Sequence, residues 1–326
     1  MISIKIWKQP HGHCLGTDRK TGAKRLSPKE RRNIMKAKRI LAAALGVITA
    51  VSLAACAQTA APAAQEAPAE AAQEEAAAPA EEKGTITVAA SPTPHAEILE
   101  EAAKILKEQG WTLEVTVFDD YVQPNLVVDS GEIDANYFQH IPYLDSFNEE
   151  KGTHLVNAGG IHYEPFGIYP GQKSSLDELA DGDTIAIPND TTNEARALLL
   201  LQDNGIITLK DGVGLTATVN DIAEYSTQIK LEELEAAQVA RIRDEVAFVI
   251  LNGNYALDAG LSVAKDAIAY EQSDSEAAKT YVNVIAVKEG NENSEGIKAL
   301  VDVLKSDAIR DFINSTYDGA VIPFTE

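Results

Sequence analysis

Asn193 and Arg196 stand three residues apart at the start of an apolar run, so on a helix both side chains face one side. A guanidinium there can grip a carboxylate with two parallel hydrogen bonds, aided by the free N–H groups and positive end of the helix. The plain alternative is a surface ion pair with Glu194 or Asp190. A second group is the run from Asp134 to Leu144, which puts Tyr137, Phe138, His140 and Tyr143 together in a chain with only 6% aromatic residues. Four rings at that density can wall a slot for an apolar or thioether side chain, because sulfur makes favourable contacts with ring edges. They can equally pack as a core cluster. Third comes Asn252 beside Gly253. An amide can serve an ammonium through its oxygen and a carboxylate through its nitrogen, and the glycine permits close approach. The same dipeptide also makes an ordinary turn.

Each of these groups, and the segment Asp119 to Asn125, falls where a strand is expected to end. Thr85 to Ala90 reads as a buried strand, followed by Thr93 as helix cap with Pro94 at the first helical position. Leu99, Ala102, Ala103 and Leu106 form one helical face, Gly110 ends the helix, and Leu113 to Phe118 makes the next strand. The alternation continues: helix at Tyr121 to Ser130, strand near Ala135, helix from Ile141, strand at Thr184 to Ile187, helix at Thr192 to Asn204, strand at Ala247 to Leu251. Tyr281 to Val287 is a late apolar strand, with helices at Ser294 to Leu304 and Asp307 to Thr316. The pattern predicts an α/β protein with largely parallel sheets and a ligand at the carboxyl ends of strands. Crossovers near Gly167 to Pro170 and near Thr280 to Val284 would divide it into lobe I (84–168 plus 284–326) and lobe II (169–283), with a cleft between.

Catalytic signatures are missing: no GxSxG, HExxH, Walker A, GxGxxG or CxxC occurs. No cofactor is expected, and His95, His140, His154 and His162 lack the acidic His-rich loop that a metal-import receptor often carries, so no metal site is expected either. From Cys56 onward the chain has 16 basic against 48 acidic residues, a net of −32. That body repels nucleic-acid phosphates and anionic lipid alike.

Attachment to a membrane must therefore come from the leader. From Met35 the chain reads MKAKRILAAALGVITAVSLAAC, a basic stretch and then an apolar run too short to span a bilayer, as in a secretory signal peptide at 35–55. Leu53-Ala54-Ala55-Cys56 resembles a bacterial lipobox, which implies cleavage before Cys56 and acyl chains on that cysteine as the anchor. Residues 1–34 read as an N-terminal extension ahead of the true start at Met35. Residues 57–83 are almost entirely Ala, Pro, Glu and Gln, a spacer that cannot bury enough surface to order itself.

The stretches TITVAASPTPHAEIL, DANYFQHIPYLDSFN, AIPNDTTNEARALLLLQDNGII and TYDGAVIPF, in that order after a lipobox, resemble the methionine-binding lipoprotein family, the NlpA-type receptors of methionine ABC importers. The resemblance implies a two-lobed periplasmic-binding-protein fold of type II that closes over its ligand. It implies an aromatic pocket at Tyr121, Phe138, His140 and Tyr143. A carboxylate-binding Arg196 with Asn193 beside it, Asn252, and Asn254 as a second candidate would hold the amino-acid head. It further implies L-methionine as ligand, an ABC permease and its ATPase as partners, an extracytoplasmic location, and no enzymatic activity. Another amino acid or a methionine-containing dipeptide shares every head-group feature, and a metal receptor or a surface adhesin stands as a further alternative.

Overall fold

The computed structural model describes residues 4–6, 81–272 and 279–325. The signal peptide, Cys56 and most of the spacer lie outside the described residues. The chain lays down five strands first: β1 (Ile4–Ile6), β2 (Gly84–Ala90), β3 (Trp111–Val117), β4 (Ala135–His140) and β5 (Leu155–Tyr163). Then come β6 (Gly167–Pro170), β7 (Thr184–Pro188), β8 (Ile207–Leu209), β9 (Ile222–Tyr225), β10 (Lys230–Leu234), β11 (Phe248–Leu251) and β12 (Ala269–Tyr270). Last are β13 (Val282–Lys288) and β14 (Ile322–Pro323). One sheet runs β1-β3-β2-β4-β13-β5-β14, a second runs β10-β7-β11-β6-β12, and β8 pairs with β9 alone.

Within the first sheet β1, β3, β2 and β4 are parallel neighbours, while β13 lies antiparallel between β4 and β5. Within the second, β10, β7 and β11 are parallel and β6 and β12 antiparallel. The expectation of largely parallel sheets therefore holds only for one half of each. Strands delivered by a helical crossover enter parallel; those arriving from the other sheet have no such constraint on direction. Ile4–Ile6, within the stretch read as an N-terminal extension, pairs with β3.

Two passages connect the sheets. The chain leaves the first between Tyr163 and Gly167 and returns between Tyr270 and Val282. The boundaries expected at 168/169 and 283/284 fall inside β6 and β13, and the change of sheet occurs in the residues just before each. Helix α1 (Glu97–Glu108) buries Ile98, Leu99, Ala102, Ala103 and Leu106 against the first sheet, the face its spacing predicts. Thr93 is extended (φ −126°, ψ 134°), so the helical path starts at Pro94 after a cis Thr93–Pro94 bond. The second sheet has its own core around Phe166, Ile185, Ile187, Leu198, Leu201 and Phe248. No helix among the described residues is long and apolar enough to cross a membrane.

Candidate functional site

A small cavity of about 10 Å³ lies between the two sheets, at the carboxyl ends of β4, β7 and β11. Tyr121, Phe138, His140 and Tyr143 line it from the first lobe, Asn193, Arg196, Asn252 and Asn254 from the second. All eight residues singled out from the sequence converge there, joined by Gln139, Glu164, Gly253 and Asn283.

Local chain geometry aims these side chains. His140 ends β4 in extended conformation and caps α2 (Ile141–Lys151), its Nδ1 accepting the Tyr143 N–H at 3.1 Å. The ring proton must then sit on Nε2, which donates to Asn193 Oδ1 at 3.0 Å from the other lobe. Burial, reinforced by the charge of Arg196, lowers the His140 pKa to about 3, so the ring is neutral. On the opposite side Asp190 caps α3 (Thr191–Asp203), accepting the Asn193 backbone N–H at 3.1 Å and its side-chain Nδ2 at 2.8 Å. Asn252 Nδ2 donates to the same Asn193 Oδ1 at 2.8 Å.

Asn193 is thus committed on both faces of its amide, to His140 and Asn252 through oxygen and to Asp190 through nitrogen. With its nitrogen turned toward Asn193, Asn252 Oδ1 is buried and has no hydrogen-bond partner among the described residues. Asn254 shows the converse: Tyr121 donates to its Oδ1 at 2.5 Å, leaving Nδ2 buried and unpartnered. The cavity therefore presents one idle acceptor and one idle donor. Idle buried polar atoms cost roughly 1–3 kcal/mol each, so such a pair marks a place where a ligand completes the network.

Arg196 differs from expectation. Its Nε donates to Glu271 Oε1 at 2.8 Å and its Nη2 to Glu271 Oε2 at 2.5 Å, with a further bond from Nη2 to the Glu164 carbonyl at 3.0 Å. The parallel fork anticipated for a ligand carboxylate is held by this internal carboxylate, because a buried guanidinium without a counter-ion is costly. Burial works against the charge, and Glu271 more than offsets it, so Arg196 stays cationic. Among the described residues no hydrogen bond of Nη1 accompanies those of Nε and Nη2.

Glu164 supplies a buried carboxyl group on the cavity wall. Its Oε1 accepts from His162 Nε2 at 2.7 Å and lies 3.4 Å from His95 Nε2, while burial pushes its carboxyl above the ordinary range. A Cβ at Gly253 would stand 2.8 Å from Glu164 Oε2, so the glycine is there for the approach of this carboxylate. His95, His162 and Glu164 have ligand-capable atoms within 4.8 Å of one another, a spacing a metal ion could bridge. Hydrogen bonds already account for most of the set: His162 Nδ1 pairs with Tyr137 OH at 2.5 Å and His95 Nε2 with Asn283 Oδ1 at 3.0 Å. Burial lowers the pKa of His162 to about 3 and, against the pull of Glu164, that of His95 to about 4, so both rings are neutral.

The first-lobe wall of the cavity is aromatic. Tyr121 lies 5.5 Å from Phe138 and 5.6 Å from Tyr143 between ring centroids, and Phe138 meets Tyr143 edge-on at 6.0 Å. Phe138 and Tyr143 belong to a small buried cluster with Phe147, partly separate from the main cores.

Residues 86–325 match the NlpA lipoprotein family along nearly the whole described region. The chain belongs to the NlpA lipoprotein family. Among relatives, the methionine-binding lipoprotein MetQ of Bacillus subtilis is 44% identical over 248 residues, covering 75% of this chain and 89% of that protein. The D-methionine-binding lipoprotein MetQ of Escherichia coli K12 is 42% identical over 229 residues, 69% of this chain and 83% of that one. A solved lipoprotein from Ruminococcus gnavus is 76% identical with a TM-score of 0.73, covering 74% of this chain and 99% of its own. A nutrient-binding protein from Burkholderia cenocepacia, solved bound to methionine, is 41% identical with a TM-score of 0.71, covering 74% and 100%. This NlpA-family chain accordingly has the two-lobed architecture of substrate-binding proteins, a binding role rather than a catalytic one.

The sequence reading missed Glu164, Gln139, Asn283 and Glu271. A signal existed for one: Glu164 is the sole carboxylate in the otherwise apolar and histidine-bearing run from Leu155 to Pro170. Charged residues are rarely buried without a task. Gln139 was hidden inside the aromatic run; it closes an amide triangle with Asn125 and Asn136 beneath the cavity. Asn283 and Glu271 reach the site only through the return to the first sheet, which no local pattern announces.

Proposed function

We propose that this chain captures methionine outside the cytoplasm and delivers it to an ABC importer, whose permease receives the closed form and whose ATPase supplies the energy. The observation that carries the reading is the charge layout of one buried cavity. Arg196 Nη1 and Asn254 Nδ2 offer donors to a carboxylate; Glu164 and the idle Asn252 Oδ1 offer acceptors to an ammonium. The aromatic wall suits an uncharged, polarizable side chain. Cross-lobe bonds from His140 to Asn193 and from Tyr121 to Asn254 join the lobes around that space, so water is excluded and each charge pair strengthens. The protein itself makes and breaks no bonds. Acyl chains on Cys56 tether it to the outer face of the cell membrane, and the acidic body stays off the anionic surface. The Escherichia coli relative is a D-methionine-binding lipoprotein, which supports testing both enantiomers.

A thermal-shift screen of the chain stripped of bound solute, against amino acids of both hands and methionine-containing dipeptides, tests the reading. A ligand at about 100 times its dissociation constant adds about 2.7 kcal/mol to the folded state. The largest shift should come from methionine. A shift confined to dipeptides or to another amino acid reassigns the ligand while keeping the site, and no shift for any of them removes the proposal.

A further inference from the structure

Glu271 follows β12 on the passage back to the first sheet, and its carboxylate gathers donors from separate parts of the chain. Besides Arg196 Nε and Nη2, Oε2 accepts from Tyr163 OH at 2.6 Å and from the Phe166 N–H at 3.0 Å. The Glu271 N–H donates to the Phe166 carbonyl at 3.0 Å. Tyr163 ends β5 and Phe166 lies on the outward passage, so a single side chain ties both connections between the lobes to the guanidinium that lines the cavity. Aromatic rings from both passages complete the seat: Arg196 Cζ stands 4.0 Å from the centroid of Tyr281 and 4.8 Å from that of Phe166.

We propose that Glu271 is a positioning residue for ligand capture: it clasps the Nε and Nη2 edge of Arg196 from the hinge, leaving Nη1 aimed at the ligand carboxylate as the lobes close. The inference rests on the zwitterion reading of the cavity. Its physical content is preorganisation. A guanidinium on a flexible stem must otherwise be ordered by the ligand, and one without a counter-ion would be costly to keep buried before the ligand arrives. Because the clasp originates on the connecting segments, movement of the hinge and placement of the ligand-binding charge are one event.

A double-mutant cycle tests this, reading methionine affinity by calorimetry on the full chain carrying Arg196→Ala, Glu271→Ala and both changes, with the unfolding temperature of each. Glu271→Ala alone should weaken binding by about tenfold or more. In the Arg196→Ala background the same change should cost less than about twofold, since the group through which Glu271 acts is gone. Losses that multiply would show a general structural role and overturn the proposal, as would a Glu271→Ala protein that binds within about twofold of the parent. If Glu271→Ala does not fold, Glu271→Gln carries the cycle. It keeps the volume but sets an amide N–H₂ against the donors of Arg196, Tyr163 and Phe166. A parent chain that binds no methionine defeats the functional reading itself, before any variant is compared.

Discussion

Replacing Glu164 by glutamine removes one charge from the cavity and little else. The glutamine Oε1 can still accept from His162 Nε2, as the carboxylate does at 2.7 Å, and the volume beside Gly253 is unchanged. At an effective dielectric of about 20, unit charges 4 Å apart attract by about 4 kcal/mol. Part of that is offset, because burial already disfavours the ionised carboxylate. The net worth of a hydrogen bond to a charged group is about 1.5–3 kcal/mol, so methionine affinity should fall by about 10- to 150-fold. Calorimetry should compare methionine with its α-hydroxy analogue, which keeps the carboxylate and the thioether side chain and lacks the ammonium. The parent protein should strongly favour methionine, and Glu164→Gln should lose most of that preference while binding the hydroxy acid about as before. Equal losses for the two ligands, or an unchanged preference, would refute the assignment of the ammonium to Glu164 and shift it toward Asn252 alone.

Phe138→Ala should open the aromatic wall of the cavity and relax the preference for methionine over alanine by about 10- to 100-fold, as loss of one buried ring contact surface implies; calorimetry with the two amino acids reads it, and an unaltered preference would show that the rings do not hold the side chain. Stability should fall in acid. His95, His140 and His162 titrate at about 4, 3 and 3 in the folded chain against about 6.5 when unfolded, so below about pH 6.5 the unfolded state takes up protons that the folded state refuses. Stability present above pH 6.5 is lost progressively toward pH 4, by about 2 kcal/mol per histidine at pH 5. Glu164, whose folded pKa is raised, opposes this in part. Urea unfolding at pH 7 and pH 5 measures the difference, and equal stabilities would show that the three rings are not buried neutral.

Local patterns carried much of the fold into view. The helix over Glu97–Glu108 buries the face its spacing predicts, α3, β7 and β11 begin and end within a residue of expectation, and α2 begins at Ile141 as expected, because capping residues and apolar periodicity are short-range signals. Strands β5 and β6 were harder to see. Leu155–Tyr163 contains Asn157 and two glycines, and those glycines are small because Val301, Val282 and Phe324 pack where a Cβ would go. That requirement comes from distant residues and leaves no trace of alternation nearby.

The site divides the same way. Residue type alone determined that rings, an arginine and asparagines stood ready at strand ends, since binding chemistry restricts which side chains can do the work and strand ends are where parallel sheets expose them. Tertiary structure decided what each one does. Asn193, read as a ligand contact, also bonds His140, Asp190 and Asn252, and Arg196, read as a carboxylate holder, is already held along one edge by Glu271. Donors and acceptors are allotted by whichever partner lies within hydrogen-bond reach, and partners 32 to 75 residues away, such as Glu164 and Glu271 for Arg196, are brought near only when the chain has crossed between its two sheets and back.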